Sequence, residues 1–158
     1  MATRAAKDAC DLLDADHRAV KKMFKDYEGL AGSRARSAAQ KKMDLAHQIC
    51  HELTVHAQIE EEIFYPALRE VMKETDLLAE AEVEHGTVKD LIAQIQEAQE
   101  ADEMFDARVK VLGEYVDHHV KEEKNDIFPK ARAARKLDLV AMREAMEMRK
   151  EELMAAVA

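Results

Sequence analysis

Two segments of the chain place a histidine four residues before a glutamate and ten before a proline: HAQIEEEIFYP, His56 to Pro66, and HVKEEKNDIFP, His119 to Pro129. In a helix, residues four apart lie one turn apart on the same face, so each pair aims an imidazole and a carboxylate at one point. Upstream of each pair stands an acid–histidine dipeptide in matching context, DHRAVKKMF (Asp16 to Phe24) and EHGTVKDLI (Glu84 to Ile92). Each half of the chain therefore reads as a helical hairpin, with a histidine on its first helix and His-x-x-x-Glu on its second. Packed face to face, two such hairpins surround one cavity with the imidazoles of His17, His56, His85 and His119 and the carboxylates of Glu60 and Glu123. Mixed nitrogen and oxygen ligands suit iron, manganese or zinc. Carboxylates near the axis of a helical bundle can bridge two metals.

A single His-x-x-x-Glu carries little weight. With 33 acidic residues and seven histidines in the chain, about 1.5 acid pairs at this spacing arise by chance, and counts of that size prove little. Three occur, His118 with Glu122 being the third. The weight lies in the duplication, in which histidine, glutamate and proline keep one register twice. A metal-free reading would require four inward histidines and two inward glutamates to be buried without a compensating partner, which is very costly. The remaining histidines act as controls. His118 is rotated about 100° from His119, among Glu114, Lys121, Glu122 and Asn125, a solvated face, whereas His119 shares its face with Leu112, Tyr115, Val116, Glu123 and Ile127. His47 and His51 share a face that points away from His56. HELTVH, His51 to His56, is one residue too long for a zinc-protease helix. Only EVEH, Glu82 to His85, has the Glu-x-x-His spacing that a ferritin-like site needs twice.

The elements that must position these residues are long helices. Four glycines and two prolines in 158 residues, with abundant Ala, Glu, Lys, Leu and Met, favour helix throughout. The apolar spacing predicts a first helix from about Lys7 to Leu30, with Leu13, His17, Val20 and Phe24 on one face. Gly29, Gly32 and Ser33 break it, and Ser33 is a candidate cap for the second. The second helix carries Leu45, Ile49, Leu53, His56, Ile59 or Glu60, and Ile63 inward until Pro66 bends or restarts it. A third, capped by Thr75 or Asp76, faces Leu78, Ala81, His85, Val88, Ile92 and Ile95 inward. A fourth, after a polar break around Glu100 to Glu103, carries Val109, Leu112, Val116, His119, Glu123 and Ile127 until Pro129. An amphipathic segment from about Leu137 to Met154 follows. Short connections between long helices imply antiparallel neighbours. The expected fold is all-α: an antiparallel four-helix bundle with an additional C-terminal helix, one domain over residues 1–158 with its core at about 8–130.

The length suffices for a core without staples, and aromatics at 4% with no tryptophan leave that core to aliphatics and methionine. A formal charge of −9 without a basic stripe argues against nucleic acid and anionic membranes as partners. No apolar run approaches a membrane span, and MATRAAKDACDLLDADH lacks the apolar stretch of a secretory signal, so the expected location is cytoplasmic. Cys10 and Cys50 fit no cysteine metal motif and are expected as free thiols.

From about Asp16 to Pro129 the chain resembles the hemerythrin family, in its broad bacterial branch of HHE cation-binding domains. The likeness rests on DH at 16–17, HAQIEEEIFYP at 56–66, EH at 84–85 and HVKEEKNDIFP at 119–129. It implies a four-helix bundle holding two iron ions, an oxo- or hydroxo-bridged di-iron centre that binds O₂ or related small molecules. Carried over residue by residue, it makes His17, His56, His85 and His119 imidazole ligands and Glu60 and Glu123 bridges. The sequence departs from the pattern at one point. Oxygen-carrying members place two histidines four apart on the third helix, but His85 is flanked at that spacing by Ala81 and Lys89. One imidazole is therefore missing. Tyr115, one turn before His119, and Glu82, one turn before His85, are candidates to complete the site, Tyr115 more so than Glu82, which is expected as a solvated charge.

These readings leave several functions to weigh: binding of O₂, nitric oxide or peroxide for carriage, sensing or protection; decomposition of peroxide in a catalase-like manner at an iron left open by the missing imidazole; and an iron-storage or iron-responsive module whose folding follows its metal load. A metal-free interaction bundle, with Met142, Met146, Met148 and Met154 as its surface, is the remaining alternative.

Overall fold

The computed structural model describes residues 7–33 and 35–156, so the first six residues, where the expectation of no secretory signal partly rests, lie outside the described residues. All described elements are helical: α1 (Ala9–Ala31), α2 (Arg36–Ile59), α3 (Tyr65–Val71), α4 (Asp76–Glu97), α5 (Glu103–Glu122), α6 (Phe128–Ala133) and α7 (Leu139–Ala155). α1 packs on α2 and α5, and α4 packs on the same two helices, which closes an up-down-up-down bundle. α7 lies outside against α1 and α2. This is the expected architecture, helix boundaries included to within a few residues.

Local chemistry sets the helix ends. Asp8 and Asp11 form a reciprocal capping box at the start of α1, Asp8 accepting from the Asp11 amide (3.0 Å) and Asp11 from the Asp8 amide (2.8 Å). Arg132 of α6 bonds both carboxylates and ties the end of the second hairpin to this cap. Asp102 caps α5 through the Phe105 amide and Asp138 caps α7 through the Ala141 amide. Ser33 does not cap α2: the N-cap is Ala35, and the Ser33 hydroxyl accepts from the Ala35 amide one step earlier. Gly113 of α5 is a close-approach position, since a Cβ there would stand 3.1 Å from the Phe24 ring of α1.

Both prolines act before their own position. α2 passes into α3 through a π-helical turn at Glu60–Phe64, and α5 passes into α6 through another at Glu123–Ile127. Proline lacks a donor and crowds the carbonyl four residues back. The wide turn relieves this, with the Tyr65 amide reaching the Glu60 carbonyl and the Phe128 amide the Glu123 carbonyl, each a five-residue span. That span puts Tyr65 on the face of Glu60 and Phe128 on the face of Glu123.

The bundle has two apolar cores, not one. One gathers Leu13, Ile59, Phe64, Leu68, Leu78, Ile127 and Met146, and the other Val20, Ile49, Leu53, Ile92, Phe105, Val109 and Leu112. Each fully buried large side chain contributes about 1.5–3 kcal/mol relative to exposure. Between the two cores lies a buried polar layer composed of His17, His56, Glu60, His85, His119 and Glu123. Cys10 and Cys50 are buried free thiols. Burial pushes both up to about 12, which leaves them inert at neutral pH.

Candidate metal centre

Each of the six residues singled out by spacing comes from a different turn of the bundle, and the structure brings all six together. α1 supplies His17, α2 His56, α4 His85 and α5 His119, and the two π turns begin on Glu60 and Glu123. The imidazoles meet through their Nε2 atoms: His17 to His56 at 3.2 Å and His85 to His119 at 3.2 Å. Glu60 Oε1 lies 2.7 Å from His56 Nε2 and 3.8 Å from His85 Nε2. Glu123 reaches His17 Nε2 with one oxygen (3.2 Å) and His119 Nε2 with the other (3.1 Å). Both glutamates are fully buried. Each carboxylate thus spans the two imidazole pairs.

Proteins do not ordinarily leave such groups unsatisfied. Yet both oxygens of Glu60 and Oε1 of Glu123 make no hydrogen bond of good geometry among the described residues, although imidazole nitrogens stand 2.7 Å from Glu60 Oε1 and 3.2 Å from Glu123 Oε1. The ligand-type atoms of His17, His56, Glu60 and Glu123 all lie within 4.8 Å of one another, as do those of Glu60, His85 and His119. Two overlapping sets of nitrogen and oxygen donors that share Glu60, with carboxylate oxygens left orphaned between them, are what a pair of metal cations would satisfy. The residues present therefore fit a cation centre.

Without metal, protons must supply the compensating charge. Burial and the neighbouring Glu123 push Glu60 up to about 7. For Glu123, burial alone would raise the carboxyl, but Glu60, His119 and His17 outweigh it and hold the group well below the usual range. Burial would likewise depress His119, but Glu123 and Glu60 raise it to about 9. His56 is raised well above its ordinary value because Glu60, Asp16 and Glu123 outweigh its burial. His85 falls to about 4 through burial and the charge on His119. His17 is lowered mainly by burial.

A second layer holds the rings. Asp16 Oδ2 lies 3.0 Å from His56 Nδ1, and Glu84 Oε1 lies 3.3 Å from His119 Nδ1. Glu61 Oε2 approaches His85 Nδ1 at 3.5 Å, and its other oxygen accepts from Lys89. Neither His85 Nδ1 nor His17 Nδ1 makes a hydrogen bond among the described residues, but His17 lacks even a carboxylate at the distance Glu61 keeps from His85. The internal repeat accounts for this, because the position of Glu61 is occupied in the second half by Lys124. His17 is instead stacked flat on Phe128, with ring centroids 6.1 Å apart and planes 6° apart.

Tyr65 is the residue that sequence reasoning missed. Its hydroxyl donates to Glu123 Oε2 (2.5 Å) and lies 3.2 Å from His119 Nε2, with the ring fully packed inside. Burial and the charges of Glu60 and Glu123 hold its phenol protonated, far above the ordinary range. Tyr115 of α5, which its spacing from His119 favours, is instead 44% exposed and does not enter the site. Helix geometry puts it about 40° from His119 and about 60° from Leu112, at the edge of the buried stripe, and its side chain turns to solvent. Glu82 is exposed and bonds Arg69, as expected of a solvated charge. Lys89, at the place of the missing imidazole, points out to Glu61. His118 is 65% exposed and pairs with Glu122, and His47 is exposed.

A four-helix bundle with a buried histidine–carboxylate cluster at its centre defines a class of metal-binding helical proteins. Residues 8–131 match the hemerythrin HHE cation-binding domain, and the chain belongs to that family. It is similar to a hemerythrin HHE cation-binding domain-containing protein from Mycobacterium kansasii, with a TM-score of 0.77 at 22% identity over 96% of this chain and 90% of that one. It is also 30% identical over 118 residues to a Nostoc sp. protein described as a DNA nickase. That stretch is 75% of this chain and 32% of the relative, so the chain spans about a third of the relative's length. No helix among the described residues is long and apolar enough to cross a membrane.

Proposed function

We propose that the chain binds two iron ions through His17, His56, Glu60, His85, His119 and Glu123, and uses them to bind O₂, nitric oxide or peroxide for carriage, sensing or protection. The observation that carries the choice of ligand is a cavity of about 30 Å³ among the four imidazoles and Glu60, also lined by Val20, Leu53, Val88 and Val116, one from each bundle helix. A water needs roughly 10–15 Å³ on this scale, so a space this small favours a ligand of a few atoms over an organic substrate. Its lining combines these apolar side chains with the four imidazoles and Glu60, which suits a small ligand held at a metal.

When bound, the irons supply Lewis-acid and redox chemistry. The chain supplies the rest. Glu60 and Glu123, each placed between the two imidazole pairs, would neutralise the cations. Asp16 and Glu84 accept from the Nδ1 of His56 and His119, which leaves the Nε2 lone pairs directed inward. Val20, Leu53, Val88 and Val116 set an apolar boundary beside the imidazoles. Tyr65 holds a proton at its hydroxyl beside Glu123 Oε2, where it can be given to that oxygen or to a ligand next to it.

Tyr65 also favours a second reading, decomposition of peroxide. With Lys89 turned to Glu61, no imidazole four residues from His85 completes the His85–His119 position, and the Tyr65 hydroxyl stands beside His119 instead. The formal charge of −9 argues against a DNA backbone as partner, so the activity named for the Nostoc relative forms no part of this proposal.

Metal analysis and the visible spectrum of iron-loaded protein test the proposal. About two irons per chain and a spectrum that cycles on reduction and exposure to air are expected for a carrier or sensor. Bleaching with gas evolution on adding peroxide selects the second reading. Iron content near zero in folded protein overturns both.

A further inference from the structure

The two second-layer carboxylates are equivalent by the repeat but end differently. Glu84 continues outward to His118, whose Nε2 is 3.8 Å from its second oxygen and whose side chain is mostly in solvent. Asp16 is closed off by α7, where Lys150 Nζ donates to Asp16 Oδ1 at 2.5 Å. α7 buries only one residue completely, Met146, with Leu139, Met142 and Leu153 partly buried around it. Lys150 lies one turn beyond Met146, so the face that docks α7 also carries an ammonium inward. Asp16 is 11% exposed in its side chain and Lys150 29%. An unbroken line therefore runs from Lys150 through Asp16 to His56 Nδ1, and from His56 Nε2 to Glu60 at 2.7 Å.

We propose that Lys150 is a positioning residue for the metal held by His17 and His56, acting through Asp16 to fix the ring of His56. The proposal rests on the reading of His56 as a metal ligand. A buried carboxylate with a fixed cation on one oxygen has one oxygen and one orientation left for the imidazole. It then accepts from Nδ1–H, and Nε2 is left as the donor toward the metal. The other position has no such buried cation, since its acid meets the exposed imidazole of His118. α7 thereby makes the two metal positions chemically unequal, although the repeat supplies each with the same kind of ligands. Arg149, the neighbour of Lys150, docks α7 separately by bonding Glu62. It supplies the control that separates docking of the helix from the line to His56.

The test compares full-length wild type with K150M, K150R and R149A. Imidazole ¹⁵N shifts of metal-free protein report the hydrogen bonding of the His56 ring nitrogens, and Co²⁺ titration followed by visible absorbance reports the two affinities. K150M is expected to weaken one of the two Co²⁺ sites by about tenfold, the lower end for loss of an outer partner, and to shift the His56 ring nitrogens. K150R restores most of both, and R149A leaves both near wild type. If K150M matches a metal-binding wild type, or if R149A reproduces K150M, Lys150 has no positioning role. If wild type itself takes up no metal, the proposed function falls first and the role of Lys150 toward a metal falls with it.

Discussion

Asp16 holds His56, the histidine across the hairpin, and not His17, which it precedes in sequence: its Oδ2 lies 3.0 Å from His56 Nδ1. Glu84 repeats the arrangement with His119 at 3.3 Å. The acid of each acid–histidine dipeptide thus orients the ring on the neighbouring helix, while the histidine beside it points into the site. Adjacent residues on a helix diverge by about 100°, and this divergence lets one dipeptide serve two layers of the same centre. Glu84→Gln keeps the shape and removes the charge. Metal titration is expected to show one site weakened 10–100-fold with the other nearly unchanged; equal weakening of both would mean that Glu84 does not act on one ring.

His118 and His119 are adjacent but stand 65% and 9% exposed in their side chains. His119→Ala is expected to abolish binding of at least one metal. His118→Ala leaves the metal content at the wild-type value, because its contacts are to Glu122 and Glu84 at the surface. Metal analysis of the two variants checks the assignment, and the reverse result would refute it.

Tyr65→Phe gives the first hairpin the residue that the second already has at Phe128. The ring and its packing persist, and only the hydroxyl is lost. Glu123 Oε2 then loses its 2.5 Å donor. Loss of one partner of a buried bond to a charged group costs about 1–3 kcal/mol, so metal-free Tyr65→Phe is expected to unfold at lower denaturant than wild type. With iron bound, the variant is expected to keep its metal but change its visible spectrum. An unchanged spectrum would place the phenol outside the metal's surroundings.

Much of this site was legible in the sequence because its signal is periodic. His17, His56, His85 and His119 each sit within a three/four apolar stripe, and the duplicated register of histidine, glutamate and proline marks Glu60 and Glu123 apart from other acids. Tyr65 was not legible in this way. A regular helix carries the face of Glu60 to Ile63 and Phe64, but the π turn widens the step to five residues, leaving Ile63 half-buried and bringing Tyr65 inside. The same regular-helix reading favoured Tyr115, whose helix has no wide turn at that point. The available signal was the repeat itself, since Tyr65 and Phe128 occupy one position before the two prolines. The line from Lys150 to Asp16 joins residues 134 apart, and local periodicity carries no record of such a contact.

Glu60 and Glu123 are expected to respond oppositely to neutralisation in the metal-free protein. Glu60 is raised to about 7 by burial and by Glu123, so above neutral pH it adds a second buried negative charge. Glu60→Gln is expected to stabilise the metal-free protein at pH 8, on the order of 1–3 kcal/mol. Glu123 is the anion on which His119 and His17 rely. Glu123→Gln is expected to destabilise it by about 3 kcal/mol, as when one partner of a buried pair is removed. Thermal melts of the two metal-free variants test this, and melting in the opposite order would mean that the shared charge lies on Glu60.

Stability of the metal-free and metal-loaded forms is expected to diverge as pH rises. His119 is raised from 6.5 to about 9 in the folded chain. Between these values the folded state binds more protons than the unfolded one, so stability falls with increasing pH. The contribution is complete below about pH 6.5 and is lost through pH 9, on the order of 3 kcal/mol at most. His56, raised for the same reason, acts in the same direction. Glu60, raised from 4.5 to about 7, has the same sign over its own lower window, while His85, lowered from 6.5 to about 4, opposes it only below 6.5. From pH 7 to 9 the metal-free protein should therefore lose stability. Metal binding must displace the protons on His56 and His119, so affinity rises over this range, and a cation that binds only the folded chain adds stability in proportion. Melts of both forms at pH 7 and pH 9, with proton release on loading followed in weak buffer, are expected to show a gap between them that widens with pH and fewer protons released at pH 9. A gap that narrows, or loading without proton release at pH 7, would mean that the buried histidines carry no protons for a metal to displace.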